Sequence, residues 1–294
     1  MIVAIASGKG GTGKTTVATS LALAAGCQVR LLDCDVEEPN CHLFLDAPPG
    51  EEEIVCLPVP VVDPDRCTAC GVCGEVCQFN AIAALPDCAL VFPTLCHGCG
   101  ACTRLCPEDA IHESRRPLGT VSTARVGTVE LITGRLTIGE ALSPPVVRAV
   151  RGRGDGSGTV IVDAPPGTGC PVMASLHGVD VAILVTEPTP FGLHDLTLAV
   201  QAVRQLDIPF GVVINRAGCG DDRVQEYCRT EHIPILLEIP QERRIAEAYA
   251  RGRPLIEAFP EWREPFVELL TNVAKLARTG ARPPFARTAT GGAQ

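Results

Sequence analysis

The stretch Gly8-Lys9-Gly10-Gly11-Thr12-Gly13-Lys14-Thr15 constrains this chain more than any other. It fits the spacing G-x-x-x-x-G-K-[ST], follows the apolar run 2–6 and opens a helical pattern over 14–25. Glycines in that context let the backbone curl so that successive N–H groups face one concavity, and the helix N-terminus behind them adds positive potential. Phosphate is the ligand such a concavity selects, with Lys14 reaching the β/γ oxygens and Thr15 ligating magnesium.

Short apolar runs recur at 2–6, 29–32, 159–162, 181–185, 210–214 and 235–239, most of them followed by helical patterns. Runs such as Val181-Ala182-Ile183-Leu184-Val185 lack the polar alternation of a half-exposed antiparallel strand, so strands buried on both faces of a parallel sheet are expected. Helices are expected at 14–25, 191–206, 221–232, 241–251 and 262–278. The fold class is therefore α/β, a three-layer P-loop sandwich with a mainly parallel sheet. Residues 1–59 and 117–278 form its two parts, and 279–294, mixed Gly, Pro, Ala, Thr and Arg without periodicity, is expected to be a disordered tail.

The segment between those parts, 60–116, holds nine of the sixteen cysteines and repeats internally. A shift of 29 residues maps Cys67, Cys70, Gly71, Cys73, Cys77, Ala81 and Ile82 onto Cys96, Cys99, Gly100, Cys102, Cys106, Ala110 and Ile111. Each half carries C-x2-C-x2-C-x3-C, the bacterial ferredoxin run, in which three close thiolates wrap one face of an iron-sulfur cube and the fourth ligates the other cluster. By that rule Cys67, Cys70, Cys73 and Cys106 hold one 4Fe-4S cluster, and Cys96, Cys99, Cys102 and Cys77 the other. The insert is thus expected to be a small α+β ferredoxin-like domain. Zinc is the competing metal, but it does not call for an unbroken run of four thiolates in duplicate. Gln78 follows Cys77 where the pattern usually has Pro, as Pro107 follows Cys106. Most of the other eight cysteines are expected to be small buried hydrophobes; Cys34 and Cys170 adjoin the proposed switch elements and are candidate redox sensors.

Net charge and flanks narrow the rest. A charge of -9 leaves no basic footprint for nucleic acid. No apolar run reaches the roughly 18 to 20 residues that span a bilayer, and the start lacks a cleavable signal's layout, so a cytoplasmic protein is expected. Sixteen cysteines in a chain of this size then point to thiolate metal ligation and not to disulfides.

Lys9-Gly10-Gly11-Thr12-Gly13-Lys14-Thr15-Thr16 resembles the deviant Walker A of the MinD, ParA, Mrp and nitrogenase iron protein ATPases. The resemblance implies ATP and Mg2+ as ligands, ATP hydrolysis, and a nucleotide-dependent dimer, with itself or a paralogue, in which Lys9 reaches phosphates across the interface. Asp33-Cys34-Asp35 closes the second strand, where the family has a carboxylate that orients the attacking water, here Asp35. Val160-Ile161-Val162-Asp163 and the following Gly167 and Gly169 resemble the Mrp-type Walker B and switch, with Asp163 toward the magnesium shell. Asn215 and Arg216 resemble the adenine-reading element.

ATP-gated electron transfer through the two clusters to an unknown redox partner is the leading function, by analogy with the nitrogenase iron protein. Mrp-type carriers usually bear a C-terminal C-x-x-C, whereas this chain has isolated Cys219 and Cys228 there. A scaffold handing clusters to an acceptor protein, and a redox-sensing MinD-like positioning ATPase, are the alternatives. The stripe Trp262, Phe266, Leu269, Leu270, Val273 and Leu276 is expected to pack on the core and not on a membrane.

Overall fold

The computed structural model describes residues 1–154 and 158–279. In chain order its elements are β1 (Ile2–Ala6), α1 (Lys14–Ala24), β2 (Val29–Asp33), α2 (Cys41–Phe44), β3 (Glu51–Val62), α3 (Val72–Val76), β4 (Ile82–Ala84), β5 (Ala89–Val91), α4 (Ala101–Arg104), β6 (Ile111–Val126) and β7 (Val129–Leu136). They continue as α5 (Pro144–Arg151), β8 (Thr159–Asp163), α6 (Cys170–Leu176), β9 (Val181–Thr186), α7 (Pro190–Gln205), β10 (Phe210–Ala217), α8 (Arg223–Thr230), β11 (Ile235–Pro240), α9 (Arg243–Ala250), α10 (Leu255–Ala258) and α11 (Arg263–Thr279). Packing divides the chain into two compact units, Met1–Leu31 with Ser157–Gln294, and Leu32–Gly156. The expected tail at 279–294 lies, apart from Thr279, outside the described residues.

The first unit is the expected α/β layer structure. Its strands run in the order β11-β10-β9-β1-β8, each paired with its neighbour in parallel. Val3, Ala4 and Ile5 of β1 and every residue of β9 are buried, which is why these segments read as unbroken apolar runs. Strand β11 departs from that expectation: it ends the order, pairs with β10 alone among the described strands, and leaves Ile235 38% exposed. Helix α7 begins where Thr189 Oγ1 accepts from the Gly192 N–H at 3.0 Å, with Pro190 in the first helical position, so cap and proline together fix its start. On α11 the stripe packs as expected, with Phe266, Leu269 and Val273 fully buried. No helix among the described residues is long and apolar enough to cross a membrane.

The order of strands places the phosphate loop. Consecutive strands β8 and β9 lie on opposite sides of β1. The loops leaving β1 and β8 therefore diverge at the carboxyl edge of the sheet, the crevice in which open α/β sheets bind ligands.

In the second unit β3, β6 and β7 form an antiparallel ribbon, and β4 pairs with β5. The 29-residue repeat is visible in the backbone. Helix α3 starts after Gly71 (φ 86°) and α4 after Gly100 (φ 71°), both left-handed. Ala69 and Gly98, and again Asn80 and Asp109, share positive φ at equivalent places. The halves also exchange strands: Ile82 pairs with Val91 and Val62 with Ile111, two pairings that the repeat interconverts. Correspondingly, the Asp63 N–H donates to Ala110 O at 2.7 Å and the Phe92 N–H to Ala81 O at 2.8 Å. Each half therefore begins beside the end of the other, a closed two-fold interlock.

Candidate functional site

The phosphate loop is built by close approach. Gly8 passes so near α7 that a Cβ there would lie 2.1 Å from the Asp195 carbonyl oxygen. Gly13 caps α1 at φ 94°, in the left-handed region, and its Cβ would lie 2.3 Å from Asn215 Nδ2. Inside the loop Lys14 Nζ donates to Ser7 Oγ at 3.0 Å, and Ser7 Oγ donates to Lys9 O at 2.5 Å. Thr15 Oγ1 donates to Asp163 Oδ2 at 2.6 Å, so the two groups expected on magnesium, the last residue of β8 and the second of α1, stand together. Thr12 Oγ1 is buried without a hydrogen-bond partner among the described residues, a polar atom that a phosphate oxygen could satisfy. Gly167, at φ 94°, donates its N–H to Ser7 O at 3.0 Å and so ties the turn after β8 to the loop after β1.

Asn215 lies against the same loop. Its Nδ2 donates to Thr12 O at 2.8 Å, and its Oδ1 accepts from the Arg216 N–H at 3.0 Å. Gly11, Gly13, Thr16, Asn215 and Arg216 line a cavity of about 710 Å³ together with Gln241 and Glu242 of the β11–α9 connection and Tyr249 of α9. That volume suits a nucleoside. Gly10 lies within reach of Pro166, 4.0 Å from where its Cβ would be.

Lys9 does not point at the loop. Its Nζ donates to Glu187 Oε2 at 3.2 Å, and Arg216 Nη1 pairs with Glu187 Oε1 at 2.6 Å. Sequence reasoning missed Glu187, although the signal existed: an acidic residue directly after an apolar parallel strand, the same signal that marked Asp163. Tyr249 and Gln241 carried no such signal, because a tyrosine within an amphipathic helix and an uncharged glutamine after a strand name no ligand. Asp35 belongs to the second unit, two residues past β2, partly buried, with its carbonyl accepting from the Glu38 N–H at 3.1 Å. Asp33 beside it is fully buried and its Oδ2 accepts from the Asn40 and Cys41 N–H groups, both at 3.0 Å.

The two cysteine runs line two cavities. Cys67, Cys70, Cys73 and Cys106 line one; Cys77, Cys96, Cys99 and Cys102 line the other. Three thiols of one run thus meet the fourth of the other, as the strand exchange requires. Backbone N–H groups turn toward the sulfurs: Ala81 to Cys77 Sγ and Ala110 to Cys106 Sγ, both 3.3 Å and again repeat-related, and Gly98 to Cys96 Sγ at 3.4 Å. Burial pushes the Cys73 and Cys102 thiols up, against backbone donors at Cys73 and the Thr103 hydroxyl at Cys102. A metal bound there would have to displace protons held more firmly than usual, and four converging sulfurs with N–H donors are a donor set able to do so. The unit exposes Phe79, which lines the second of these cavities, and also Leu85, Leu90, Phe92, Leu95 and Leu105. Phe79 stacks on His97 with centroids 3.9 Å apart.

The remaining eight cysteines correct one expectation. Only Cys34, Cys41 and Cys228 are buried, whereas Cys27, Cys88, Cys170 and Cys219 are exposed and Cys56 is half-buried. Loop positions, where no strand or helix face is turned inward, account for Cys27, Cys88 and Cys219, while Cys170 stands at the exposed first position of α6. None of the sixteen forms a disulfide.

Residues 3–255 match the CobQ/CobB/MinD/ParA nucleotide binding domain. An uncharacterized protein of Methanocaldococcus jannaschii is 30% identical over 87% of this chain and 92% of its own length. The iron-sulfur cluster carrier protein of Aquifex aeolicus is 28% identical over 88% of this chain and 63% of its own length. Among solved structures, the septum site-determining protein MinD of Pyrococcus horikoshii complexed with Mg-ADP superposes with a TM-score of 0.60 at 21% identity, covering 96% of this chain and 99% of that one. Loop, strand order and match over most of the sequence agree: the chain belongs to the CobQ/CobB/MinD/ParA nucleotide-binding family.

Proposed function

We propose that the protein binds and hydrolyses ATP with Mg2+, and that nucleotide-driven dimerisation gates electron transfer through two resident 4Fe-4S clusters to a partner protein. The observation that carries the cluster half is the crossed grouping of thiols: each cavity collects three cysteines of one run and the fourth of the other, the ferredoxin ligation rule. Bound there, 4Fe-4S clusters would supply one-electron transfer at low potential. The chain's own residues would hold them by four sulfurs each, dampen the sulfur charge with N–H donors and screen one site with the Phe79–His97 stack.

On the nucleotide side Lys14 and the loop amides would bind the phosphates, Thr15 and Asp163 the magnesium, and Asn215 and Tyr249 would flank the base. Asp35 is assigned the attacking water from its place at the end of β2, and Lys9 the partner's phosphates. The exposed apolar side chains of the second unit suit transient contact with another protein.

A second reading, cluster delivery to an acceptor protein, is favoured by the relatives from Aquifex aeolicus and Pyrococcus horikoshii that are named iron-sulfur cluster carrier proteins. A complete four-thiol set within each cavity of one chain suits retention more than release. Protein loaded with 55Fe, reduced with dithionite, freed of excess reductant by desalting without oxygen and then mixed with cytochrome c, with or without MgATP, decides between them. The electron-transfer reading expects cytochrome c reduction accelerated by MgATP with the label retained. Transfer of 55Fe to an added apo-ferredoxin, at a rate matching ATP turnover, would replace it with delivery.

A further inference from the structure

Glu187 is 6% exposed, at the end of β9, and carries two cations at once: Lys9 at 3.2 Å and Arg216 at 2.6 Å. Nothing in nucleotide binding requires that carboxylate, and a buried carboxylate held by a single cation would strand a charge when that cation left. Two cations remove the difficulty. If Lys9 departs, Arg216 stays on Glu187, and the carboxylate remains compensated.

The backbone is shaped to supply Arg216. Its φ of 56° is left-handed, unusual for a non-glycine residue, and the β10–β11 register shifts between Asn215 and Ala217. A bulge of this kind re-aims a side chain, here onto Glu187, while the Arg216 N–H is held by Asn215 Oδ1 at 3.0 Å. The lysine at the other corner is equally specific. The chain has only three lysines, Lys9, Lys14 and Lys275, so a compact ammonium has been kept at position 9 where arginine fills nearly every other cationic position.

We propose that Glu187 is a positioning residue that parks Lys9 in its own subunit until nucleotide arrives, with Arg216 as the standing counter-ion that lets Lys9 leave. Release is then a swap of one anion for another: Lys9 exchanges a carboxylate for phosphate, and Glu187 keeps Arg216. The proposal rests on the reading of Lys9 as the cation that acts across the dimer. It predicts opposite effects for the two neighbours of Lys9. Removing the Glu187 charge frees Lys9, whereas removing Arg216 leaves Lys9 as the only cation on Glu187 and holds it more firmly.

Competitive acetylation of the nucleotide-free full chain, read by mass spectrometry with exposed Lys275 as internal reference, tests this directly. Glu187→Gln is expected to raise Lys9 labelling roughly two- to fivefold, the range for a partly exposed ion pair. Arg216→Ala is expected to lower it, and Glu187→Gln with Arg216→Ala to match Glu187→Gln alone. Lys9 labelling unchanged in both single variants, with native circular dichroism, overturns the proposal. The MgATP concentration for half-maximal dimerisation, measured by light scattering, should fall in Glu187→Gln. If labelling changes as expected but dimerisation does not, the parking contact stands and the reading of Lys9 across the interface is what fails.

Discussion

Gly13→Ala separates two costs that the loop imposes on any side chain. At φ 94° a Cβ sits in the left-handed region, worth about 1 to 2 kcal/mol. The added methyl would also lie 2.3 Å from Asn215 Nδ2, so the 2.8 Å hydrogen bond from that amide to Thr12 O must break or stretch, about another 1 kcal/mol. Gly11→Ala supplies the control: its φ is 76°, but nothing lies within 4 Å of its Cβ, so it meets the first cost alone. A relaxed loop must be pulled back into shape when phosphate binds, so both costs appear in affinity. Gly11→Ala should weaken ATP binding by roughly 5- to 30-fold and Gly13→Ala by roughly 30- to 150-fold. Calorimetric titration with ATP and magnesium is the suitable assay, because affinity compares two folded states and is free of the unfolded-chain entropy that glycine replacement also changes. Asn215→Ala should be less harmful on the Gly13→Ala background than on wild type, since it removes the clash that the new methyl creates and the hydrogen bond to Thr12 O is already lost there. Equal affinities for Gly11→Ala and Gly13→Ala would refute the steric part, and wild-type affinity in both would refute the loop's role in binding.

Three further outcomes follow from single contacts. Thr15→Val removes the hydroxyl 2.6 Å from Asp163 and should abolish the gain in ATP affinity on adding magnesium while sparing magnesium-free binding, again by calorimetry. Cys106→Ser should cost the cluster grouped with Cys67, Cys70 and Cys73, and Cys77→Ser the other, each leaving about half the iron; loss of the same EPR signal in both would contradict the crossed grouping. Burial pushes the Cys228 thiol up from 9.0 to about 11. The folded state therefore holds that proton longer than the unfolded chain, and stability present below pH 9 should decline as pH rises toward 11. Chemical denaturation across that window should show a shallower decline in Cys228→Ala than in wild type.

Much of the first unit can be read from the amino acids because its physics is periodic. Strands covered on both faces must be apolar throughout, and the expected runs 2–6, 159–162 and 181–185 end within one residue of β1, β8 and β9. The long ribbon strands of the second unit were invisible to that reasoning. Strand β3 begins Glu51-Glu52-Glu53 and contains Pro58 and Pro60, residues that ordinarily argue against a strand. They are tolerated because β3 pairs with β6 alone among the described strands, and prolines two apart withhold their missing N–H groups from the same, unpaired side. Pro117 of β6 is accommodated at the register shift opposite Val55 and Cys56.

The site divides the same way. Lys14, Thr15 and Asp163 announce themselves by spacing and by position at element ends, and the cysteines by their repeat. Glu187 and Tyr249 reach their neighbours only through the folded sheet, Glu187 meeting Lys9 across 178 residues of chain. Nothing local in the sequence encodes that pairing.

The central claim joins nucleotide to clusters, and one experiment addresses both. Protein purified without oxygen should contain about eight irons and eight acid-labile sulfides per chain and, after reduction, give interacting S = 1/2 EPR signals. Adding MgATP should then shift the signal or the midpoint potential of at least one cluster, while Lys14→Ala should remove that shift and leave the iron in place. Full iron with a signal indifferent to MgATP would contradict the coupling, and zinc in place of iron would contradict the clusters themselves.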